Sequence, residues 1–149
     1  MPTITRRQSV SAPPDEVWSV VSDPARLPEW WPGVTRVEDA SAEAWTTVLT
    51  SAKGKAVRAD YTRVEARRPH RLVWRHEVAE SPFERILAES VTAVTLEPEG
   101  DGKTGVELTV RHRPRGFARF GFLQMRLAAV RQLDEALEGL ESLVAAGEG

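Results

Sequence analysis

The segment FARFGFLQMRLAAVRQLDEALEGLESLVAA, residues 117–146, decides the fold of this chain. Its large apolar side chains recur at spacings of three or four and therefore share one face of a long amphipathic helix: Phe120, Leu123, Leu127, Val130, Leu133, Leu137, Leu140 and Val144. The polar residues fall mostly on the other side, among them Arg126, Arg131, Gln132 and Glu135. At about 1.5 Å per residue such a helix is roughly 40 Å long, so the rest of the chain must cover a long apolar face.

The chain before this helix is predicted to consist mainly of β-strands. A first strand is expected at residues 3–10, and two short helices follow it, one from the Pro13-Pro14 pair to about Asp23 and one over residues 25–30. Turn-forming segments separate six further predicted strands: 34–39, 44–51, 56–64, 71–78, 84–96 and 105–113. Short turns join antiparallel neighbours. The sequence therefore predicts an α+β fold, in which a curved antiparallel sheet of about seven strands wraps around the C-terminal helix and two short helices lie between strands 1 and 2.

Composition favours a single domain over residues 1–149 and argues against nucleic-acid binding and stable membrane insertion. The 149 residues are 41% hydrophobic, which is ample for one core, and the net charge of −2 comes from interleaved acidic and basic residues. No apolar run reaches the length of about 18 residues that a membrane helix needs, and the N-terminus lacks a signal-peptide core. We therefore expect a cytoplasmic protein without nucleic-acid partners or stable membrane insertion. The preference for arginine over lysine is typical of a GC-rich bacterial source.

The motifs give no sign of a metal or a cofactor. The chain has no cysteine, glycine-rich phosphate loop, nucleophile elbow or HExxH segment. Its histidines, His70, His76 and His112, have neither ligand spacing nor clustered carboxylates. We therefore expect no metal and no cofactor, and thiol catalysis, nucleotide-dependent chemistry and serine-triad hydrolysis are disfavoured.

Three stretches carry a resemblance to a known family. They are Val10-x-Ala12-Pro13-x-x-x-Val17-Trp18, Ser22-Asp23-Pro24-x-x-Leu27-Pro28-x-Trp30-x-Pro32-Gly33-Val34 and Leu96-Glu-Pro-Glu-Gly-Asp-Gly-Lys-Thr104-Gly105-Val106. With the order of the elements, they resemble the START-like superfamily known as SRPBCC and, within it, the polyketide cyclase/dehydrase-like proteins. The resemblance covers essentially the whole chain and implies the helix-grip fold. Members of that superfamily include carriers of apolar molecules, aromatases and cyclases, coenzyme-Q-binding proteins and chaperone partners, and fold alone selects none of these functions.

A sheet curved around one helix leaves a cavity between them, and this cavity is the expected site. Its ceiling is predicted to be the first half of the helix stripe, and its floor the concave face of the strands. Alternation places Leu72, Trp74, His76 and Val78 on one face, and likewise Val106, Leu108, Val110 and His112. For residues 84–96 both faces carry polar and apolar groups, so the inward face stays open. The predicted ligand-binding residues are Trp31, Tyr61, Leu72, Trp74, His76, Leu108, Val110, His112, Phe120, Leu123 and Leu127.

Catalytic residues are not defined by the sequence, but three are candidates. His76 could act as an acid or base, the Tyr61 hydroxyl could donate to a bound oxygen, and Glu89 could act as a base if it faces inward. Each also has a structural interpretation, as a satisfied core histidine, an ordinary strand aromatic and a solvated carboxylate.

Other conspicuous residues have structural interpretations as well. One of the adjacent Trp30 and Trp31 is expected to anchor the core while the other borders the cavity mouth. Glutamates and aspartates interleave with the arginine series of residues 58–75, so cross-strand charge pairs on a solvated face explain that series. The stretch 113–122 is interpreted as the helix entrance, with a ligand portal or a membrane-touching edge as alternatives.

Three functions therefore stay open. The first is binding of a small, largely hydrophobic molecule that is lipid, polyketide or isoprenoid-like. The second is an aromatase/cyclase-type enzyme that uses the same cavity, which requires polar groups to converge inside it, whereas a wholly apolar lining would count against catalysis. The third is a protein-partner module that uses the arginine-rich outer face. Either a monomer or a homodimer is compatible with the sequence.

Overall fold

The structure, a computed structural model, describes residues 3–50, 53–78, 87–114 and 122–147. Its strands are β1 (Thr3–Val10), β2 (Val34–Glu38), β3 (Ala44–Thr50), β4 (Ala56–Arg67), β5 (Arg71–His76), β6 (Leu87–Pro98) and β7 (Thr104–Pro114). Its helices are α1 (Pro14–Val21), α2 (Leu27–Trp30), which a single 3-10 turn (Pro24–Arg26) precedes, and α3 (Phe122–Gly147). The element order is therefore the predicted one. The predicted helix residues 117–121 and strand residues 84–86 lie outside the described residues.

The strands form one seven-stranded antiparallel sheet in the order β1-β7-β6-β5-β4-β3-β2. Strands β2 to β7 follow one another as a meander, and β1 returns to pair with β7. Register shifts interrupt the pairing within β2, β4 and β6, and such bulges bend strands. The predicted fold, a curved antiparallel sheet with a long C-terminal helix and two short helices after β1, is confirmed.

The core lies between the concave face of the sheet and the last five turns of α3. Here the helix buries its apolar stripe: Ala129, Leu133, Ala136, Leu137, Leu140 and Val144. These residues belong to one cluster with inward residues of β1, β5, β6 and β7 and with the small helices.

The first turns of α3 depart from the prediction. Leu123 is 68% exposed and Leu127 is 64% exposed, so neither forms the ceiling of a cavity. The helix has 26 residues, whereas its main packing partners among the described elements are β1, β7 and the four-residue α2. The apolar periodicity of α3 therefore continues into first turns whose leucines are exposed.

Two sets of hydrogen bonds tie the junction of β1 and α1 to the core. The backbone N–H and the hydroxyl of Ser11 donate to the two carboxylate oxygens of Glu141 on α3, both at 2.7 Å. The buried Thr104 hydroxyl donates to the Ala12 carbonyl oxygen at 2.7 Å. Because both contacts join segments distant in sequence, they fix α1 against α3 and the start of β7.

The outer face of the sheet carries ion pairs of two kinds, the predicted pairs across strands and further pairs between residues two apart in the chain. Arg58 pairs with Glu38 at 3.0 Å, and Arg75 pairs with Glu77 at 3.2 Å. Exposed pairs of this kind contribute little stability, typically about 0–1 kcal/mol. The charged strand residues therefore satisfy one another, and partner binding by this face stays a prediction. No helix within the described ranges combines the length and apolar character needed to cross a bilayer.

Candidate functional site

A partly open cavity of about 180 Å³ lies on the concave face of the sheet. Its aromatic lining consists of Trp31, Trp45, Tyr61, Trp74, His76 and His112. Aliphatic residues close other parts of it: Leu27, Val34, Leu49 and Val110. Its remaining described lining is polar and uncharged: Thr47, Ser90, Thr92 and Gln132. The cavity is therefore mostly aromatic and apolar, with neutral hydrogen-bonding groups among the rings.

The aromatic side chains form a continuous row along the cavity. The Trp31 and Trp74 rings meet edge to face with centroids 6.0 Å apart, and Trp74 meets Trp45 in the same way at 6.0 Å. Trp45 stacks on Tyr61 with centroids 5.9 Å apart and planes inclined by 12°. Tyr61 in turn stacks on His76 at 4.9 Å and 26°. Both arrangements are favoured by the ring quadrupoles, so the row is a stable aromatic wall.

The register of the sheet explains why these rings meet. Trp45 of β3 pairs directly with Tyr61 of β4, and Tyr61 pairs directly with His76 of β5. Directly opposite residues share a face and bring their Cβ atoms to about 5 Å of each other. Consecutive cross-strand pairs therefore place three rings side by side, although they are far apart in the sequence.

The adjacent Trp30 and Trp31 divide their roles at the end of α2. Trp30 is only 3% exposed and lies in the core, whereas the half-buried Trp31 lines the cavity. Their rings meet edge to face at 5.4 Å. The buried ring therefore holds the one at the cavity in place, which is the division expected from the sequence.

Burial keeps the titratable groups of the cavity uncharged. Desolvation raises the pKa of Tyr61 to about 12, so its hydroxyl stays protonated and can donate a hydrogen bond. Desolvation also lowers the pKa of His76 and of His112, and the proximity of His112 lowers that of His76 further, while Asp60 and Glu77 oppose this shift. Both imidazoles are therefore neutral at pH 7, and each offers one donor and one acceptor.

Two polar groups on β3 are buried at this site without a hydrogen-bond partner among the described residues. They are the indole N–H of Trp45 and the hydroxyl of Thr47. Both residues line the cavity, and each is less than 5% exposed. Leaving a buried polar group unpaired costs about 1–3 kcal/mol, so this strand holds hydrogen-bonding capacity that its neighbours do not use.

Arg63, a residue of β4, contacts the aromatic wall but does not line the cavity. Its guanidinium lies 6.0 Å from the centre of the Trp45 ring and donates to the Ser22 carbonyl oxygen at 2.6 Å. Burial lowers the pKa of Arg63, and the nearby Glu43 and Asp23 oppose that shift. The arginine thus connects the end of α1 to the aromatic wall.

The structure places the predicted site residues in four different settings. Those at the cavity are Trp31, Tyr61, Trp74, His76, Val110 and His112. Leu72 and Leu108 are fully buried in the core away from the described lining, because they lie farther along their strands than the cavity extends. Leu123 and Leu127 are exposed, and Phe120 lies outside the described residues.

Glu89 lies on the outer face, where its carboxylate is 3.2 Å from Arg111. The inward residues of its strand are instead Ser90, Thr92, Val94 and Leu96. Glu89 was a candidate base only if it faced inward. Because it faces outward, it is not a catalytic candidate.

Several lining residues were missed by sequence reasoning. On β3, Trp45, Thr47 and Leu49 alternate with period two, and this signal was available in the sequence. Gln132 was assigned to the polar side of α3, yet it is the α3 residue that borders the cavity in the described lining. A polar residue at the margin of an apolar stripe faces inward when the space beside it is a cavity rather than packed core.

The fold and the cavity together define a START-like protein of the helix-grip class. The chain belongs to the polyketide cyclase/dehydrase and lipid transport family, whose model matches residues 1–145. Membership supports a role in binding hydrophobic ligands or in polyketide cyclisation. No curated protein matches the chain significantly.

Solved structures of the same fold come from varied proteins. The chain is 24% identical to the di-domain ARO/CYC BexL from the BE-7585A biosynthetic pathway, with a TM-score of 0.79, 97% of this chain covered and 47% of that one. It thus spans about half the length of that protein. A START superfamily protein from Mycobacterium smegmatis shares 13% identity at a TM-score of 0.76, with 97% of both chains covered. A norcoclaurine synthase point mutant from Thalictrum shares 13% identity at a TM-score of 0.75, with 99% of this chain and 96% of that one covered.

Proposed function

We propose that this protein binds a small, largely hydrophobic aromatic molecule in the cavity between the sheet and α3. The observation that carries this proposal is the unbroken row of rings from Trp31 through Trp74, Trp45 and Tyr61 to His76. Planar ligands gain both buried area and quadrupole-matched ring contacts on such a wall. A polyketide-derived ring system therefore suits the cavity better than a saturated lipid chain does.

The size of the cavity limits the part of the ligand that it encloses. A closed apolar cavity of about 150 Å³ holds one benzene ring, while drug-sized ligands occupy about 300–1,000 Å³. The present cavity of about 180 Å³ therefore encloses one or two fused rings. A longer ligand would place one end among the tryptophans and extend the rest through the mouth.

Binding is tested with 2-acetylnaphthalene as the probe, by isothermal titration calorimetry on the wild type and on two variants. Trp31→Leu removes a ring from the cavity wall, and we expect it to weaken binding about 5–10-fold, because an aromatic contact contributes about 0.5–1.5 kcal/mol beyond its buried area. Leu127→Ala is the control, since this residue is exposed and does not line the cavity. Absence of saturable binding to the wild type, or an equal loss in the two variants, would contradict the proposal.

Native mass spectrometry of the protein purified from its own host, followed by extraction and identification of any bound small molecule, identifies the natural ligand class. A co-purifying aromatic compound would support the proposal. A saturated lipid bound at one equivalent per protein would contradict the aromatic-ligand proposal and favour lipid transport instead.

A second candidate function is cyclisation with dehydration, and the contact between Tyr61 and His76 favours it. The lining is not wholly apolar, so the feature that would count against catalysis is absent from the described residues. The neutral imidazole of His76 would take a proton from a carbon next to a ketone, and the enolate carbon would bond to a second carbonyl carbon. The Tyr61 hydroxyl would give its proton to the new alkoxide and regain one from the imidazolium. Loss of water from the β-hydroxyketone would then leave a conjugated double bond.

Cyclisation of 2,6-heptanedione to 3-methylcyclohex-2-enone plus water is a minimal test, followed by ultraviolet absorbance of the enone. We expect His76→Gln and Tyr61→Phe to lower the rate about 100-fold or more, as removal of a general acid or base does. His70→Gln is the matched control, since His70 is exposed in the turn before β5. If the wild type gives the same rate as buffer, the protein does not catalyse this cyclisation. Ligand binding is then the one proposed function that remains.

A further inference from the structure

The polar groups of the cavity share one electrical property. Every described lining residue is uncharged at neutral pH. Three tryptophans can donate an indole N–H, and seven other lining residues can form hydrogen bonds: Thr47, Tyr61, His76, Ser90, Thr92, His112 and Gln132. The Arg63 cation lies against the Trp45 ring and donates to the Ser22 carbonyl oxygen. It does not line the cavity. A bound charge would therefore meet dipoles and ring faces rather than a counter-ion.

Such surroundings disfavour an anion more than a neutral molecule of equal shape. A carboxylate that enters the cavity loses its hydration, and the described lining offers no opposite charge to compensate for that loss. The faces of aromatic rings carry partial negative charge, which repels an anion lying over them. A neutral carbonyl or hydroxyl oxygen has a much smaller hydration cost and still accepts hydrogen bonds.

Two hydrogen-bond donors on β3 without a partner among the described residues indicate that the neutral ligand carries an acceptor oxygen. The Thr47 hydroxyl is buried and unpaired among the described residues, although Thr47 lines the cavity. Rotation of its χ1 angle between staggered wells exchanges the hydroxyl with the methyl group, so the hydroxyl can reach a ligand without movement of the backbone. The unpaired indole N–H of Trp45 lies on the same face two residues away. An acceptor oxygen on the ligand would satisfy these donors.

We propose that the cavity selects uncharged aromatic molecules that carry a carbonyl or hydroxyl oxygen, and that it rejects the corresponding carboxylates. This proposal rests on the aromatic-ligand function proposed above and specifies its ligand class. Thr47 is the residue that recognises the oxygen.

The test compares 2-acetylnaphthalene with 2-naphthoate, which have nearly the same shape and differ in charge. At pH 7.5 we expect the ketone to bind the wild type at least about tenfold more tightly, because the carboxylate is buried without a counter-ion. Equal binding, or tighter binding of the carboxylate, would overturn the charge selection while leaving aromatic binding intact. If neither probe binds, the proposed function itself is wrong, and the ligand class with it.

The pH dependence separates charge rejection from a difference in shape. Between pH 7.5 and 5.5 the apparent affinity for 2-naphthoate should rise about tenfold per pH unit, since only the protonated acid enters. Affinity for the ketone should change far less over the same range. Within the described part of the lining, the groups that titrate are His76, His112 and Tyr61, and Asp60 and Glu77 act on His76. An affinity for 2-naphthoate that stays constant with pH would overturn the proposal.

The role of Thr47 is tested with Thr47→Val, which keeps the shape of the side chain and removes the hydroxyl. We expect this variant to bind 2-acetylnaphthalene about fivefold more weakly and to bind unsubstituted naphthalene unchanged. Thr46→Val on the opposite face of β3 is the control, because its hydroxyl donates to Asp60 rather than lining the cavity. An unchanged ketone affinity in Thr47→Val would remove Thr47 from ligand recognition.

Discussion

Gly139 of α3 passes directly over the backbone of Trp30 in α2. A Cβ atom added at Gly139 would lie 2.6 Å from the Trp30 carbonyl oxygen and 3.2 Å from its Cα. Both atoms belong to the backbone, so neither can move aside as a flexible side chain would. The glycine thus permits the close crossing of α2 and α3, and α2 carries the tryptophan pair that reaches the cavity.

Gly139→Ala should therefore destabilise the protein. Alanine is favoured over glycine inside a helix by about 1 kcal/mol, whereas forcing an extra carbon into a packed contact costs typically 1–3 kcal/mol or more. The steric cost of the backbone clash should exceed the gain in helix propensity. We therefore expect a net loss of about 1–2 kcal/mol in the free energy of unfolding, measured by urea titration. Glu138→Ala on the exposed neighbouring position should change it by less than about 0.5 kcal/mol. A stabilised Gly139→Ala variant would show that the two helices can separate without cost.

The contact between Ser11 and Glu141 gives a second prediction. Ser11→Ala removes the hydroxyl that donates to one carboxylate oxygen but keeps the backbone N–H bond to the other. Because the acceptor is charged and only partly buried, we expect a loss of about 1 kcal/mol in the free energy of unfolding. Ser19→Ala is the control, since its exposed hydroxyl donates only to the Glu16 carbonyl oxygen one turn earlier in the same helix. Equal stabilities of the two variants would contradict a role for Ser11 in fixing α1 to α3.

Arg63 gives a third prediction, because it contacts both the end of α1 and the aromatic wall. Arg63→Met keeps a long apolar stem but removes the donor to the Ser22 carbonyl oxygen and the charge beside Trp45. We expect a loss of about 1–2 kcal/mol in unfolding free energy, together with a shift in tryptophan fluorescence. Arg75→Met on the outer face removes only an exposed pair with Glu77 and should cost less than about 1 kcal/mol. Identical fluorescence spectra for wild type and Arg63→Met would exclude an effect on the wall.

The sequence predicts the fold well because the fold depends on periodicity. The repeat of three and four in α3 and the alternation in β7 each follow from burial on one side. The same periodicity cannot show where a covering surface ends, which is why Leu123 and Leu127 were expected inside and are exposed. Whether such a residue is buried depends on the elements that pack beside it, and the pattern of α3 alone does not contain that information.

The site is less predictable because it depends on register. Strand β6 carries polar groups on both faces, so its own pattern does not show that Thr92 points inward. The tight turn between β6 and β7 pairs Thr92 with Val110, and Val110 lies on an apolar inward face. Counting back from that turn would have identified Ser90 and Thr92 and excluded Glu89. The row from Trp45 to His76 likewise follows from two registers and not from any spacing along the chain.

The two histidines of the cavity predict how stability depends on pH. Burial lowers the pKa of His112 and of His76 below the ordinary value of 6.5 in the folded protein. Above that value both states hold neutral imidazoles, so the folded state bears no penalty. As the pH falls through about 6.5, the unfolded chain binds protons that the folded chain does not, and the free energy of unfolding decreases. We therefore expect urea titrations to show lower stability at pH 5.5 than at pH 7.5.

Replacing one of these histidines should reduce that pH dependence. His112→Gln keeps a neutral hydrogen-bonding side chain at the cavity, and the difference in unfolding free energy between pH 7.5 and 5.5 should become smaller than in the wild type. His70→Gln is the matched control, because His70 is exposed, and it should keep the wild-type difference. A His112→Gln, His76→Gln double variant with an undiminished difference would show that other groups cause the loss of stability. Urea titrations at both pH values with 2-acetylnaphthalene present would show whether a bound neutral ligand makes protonation of His76 and His112 still less favourable.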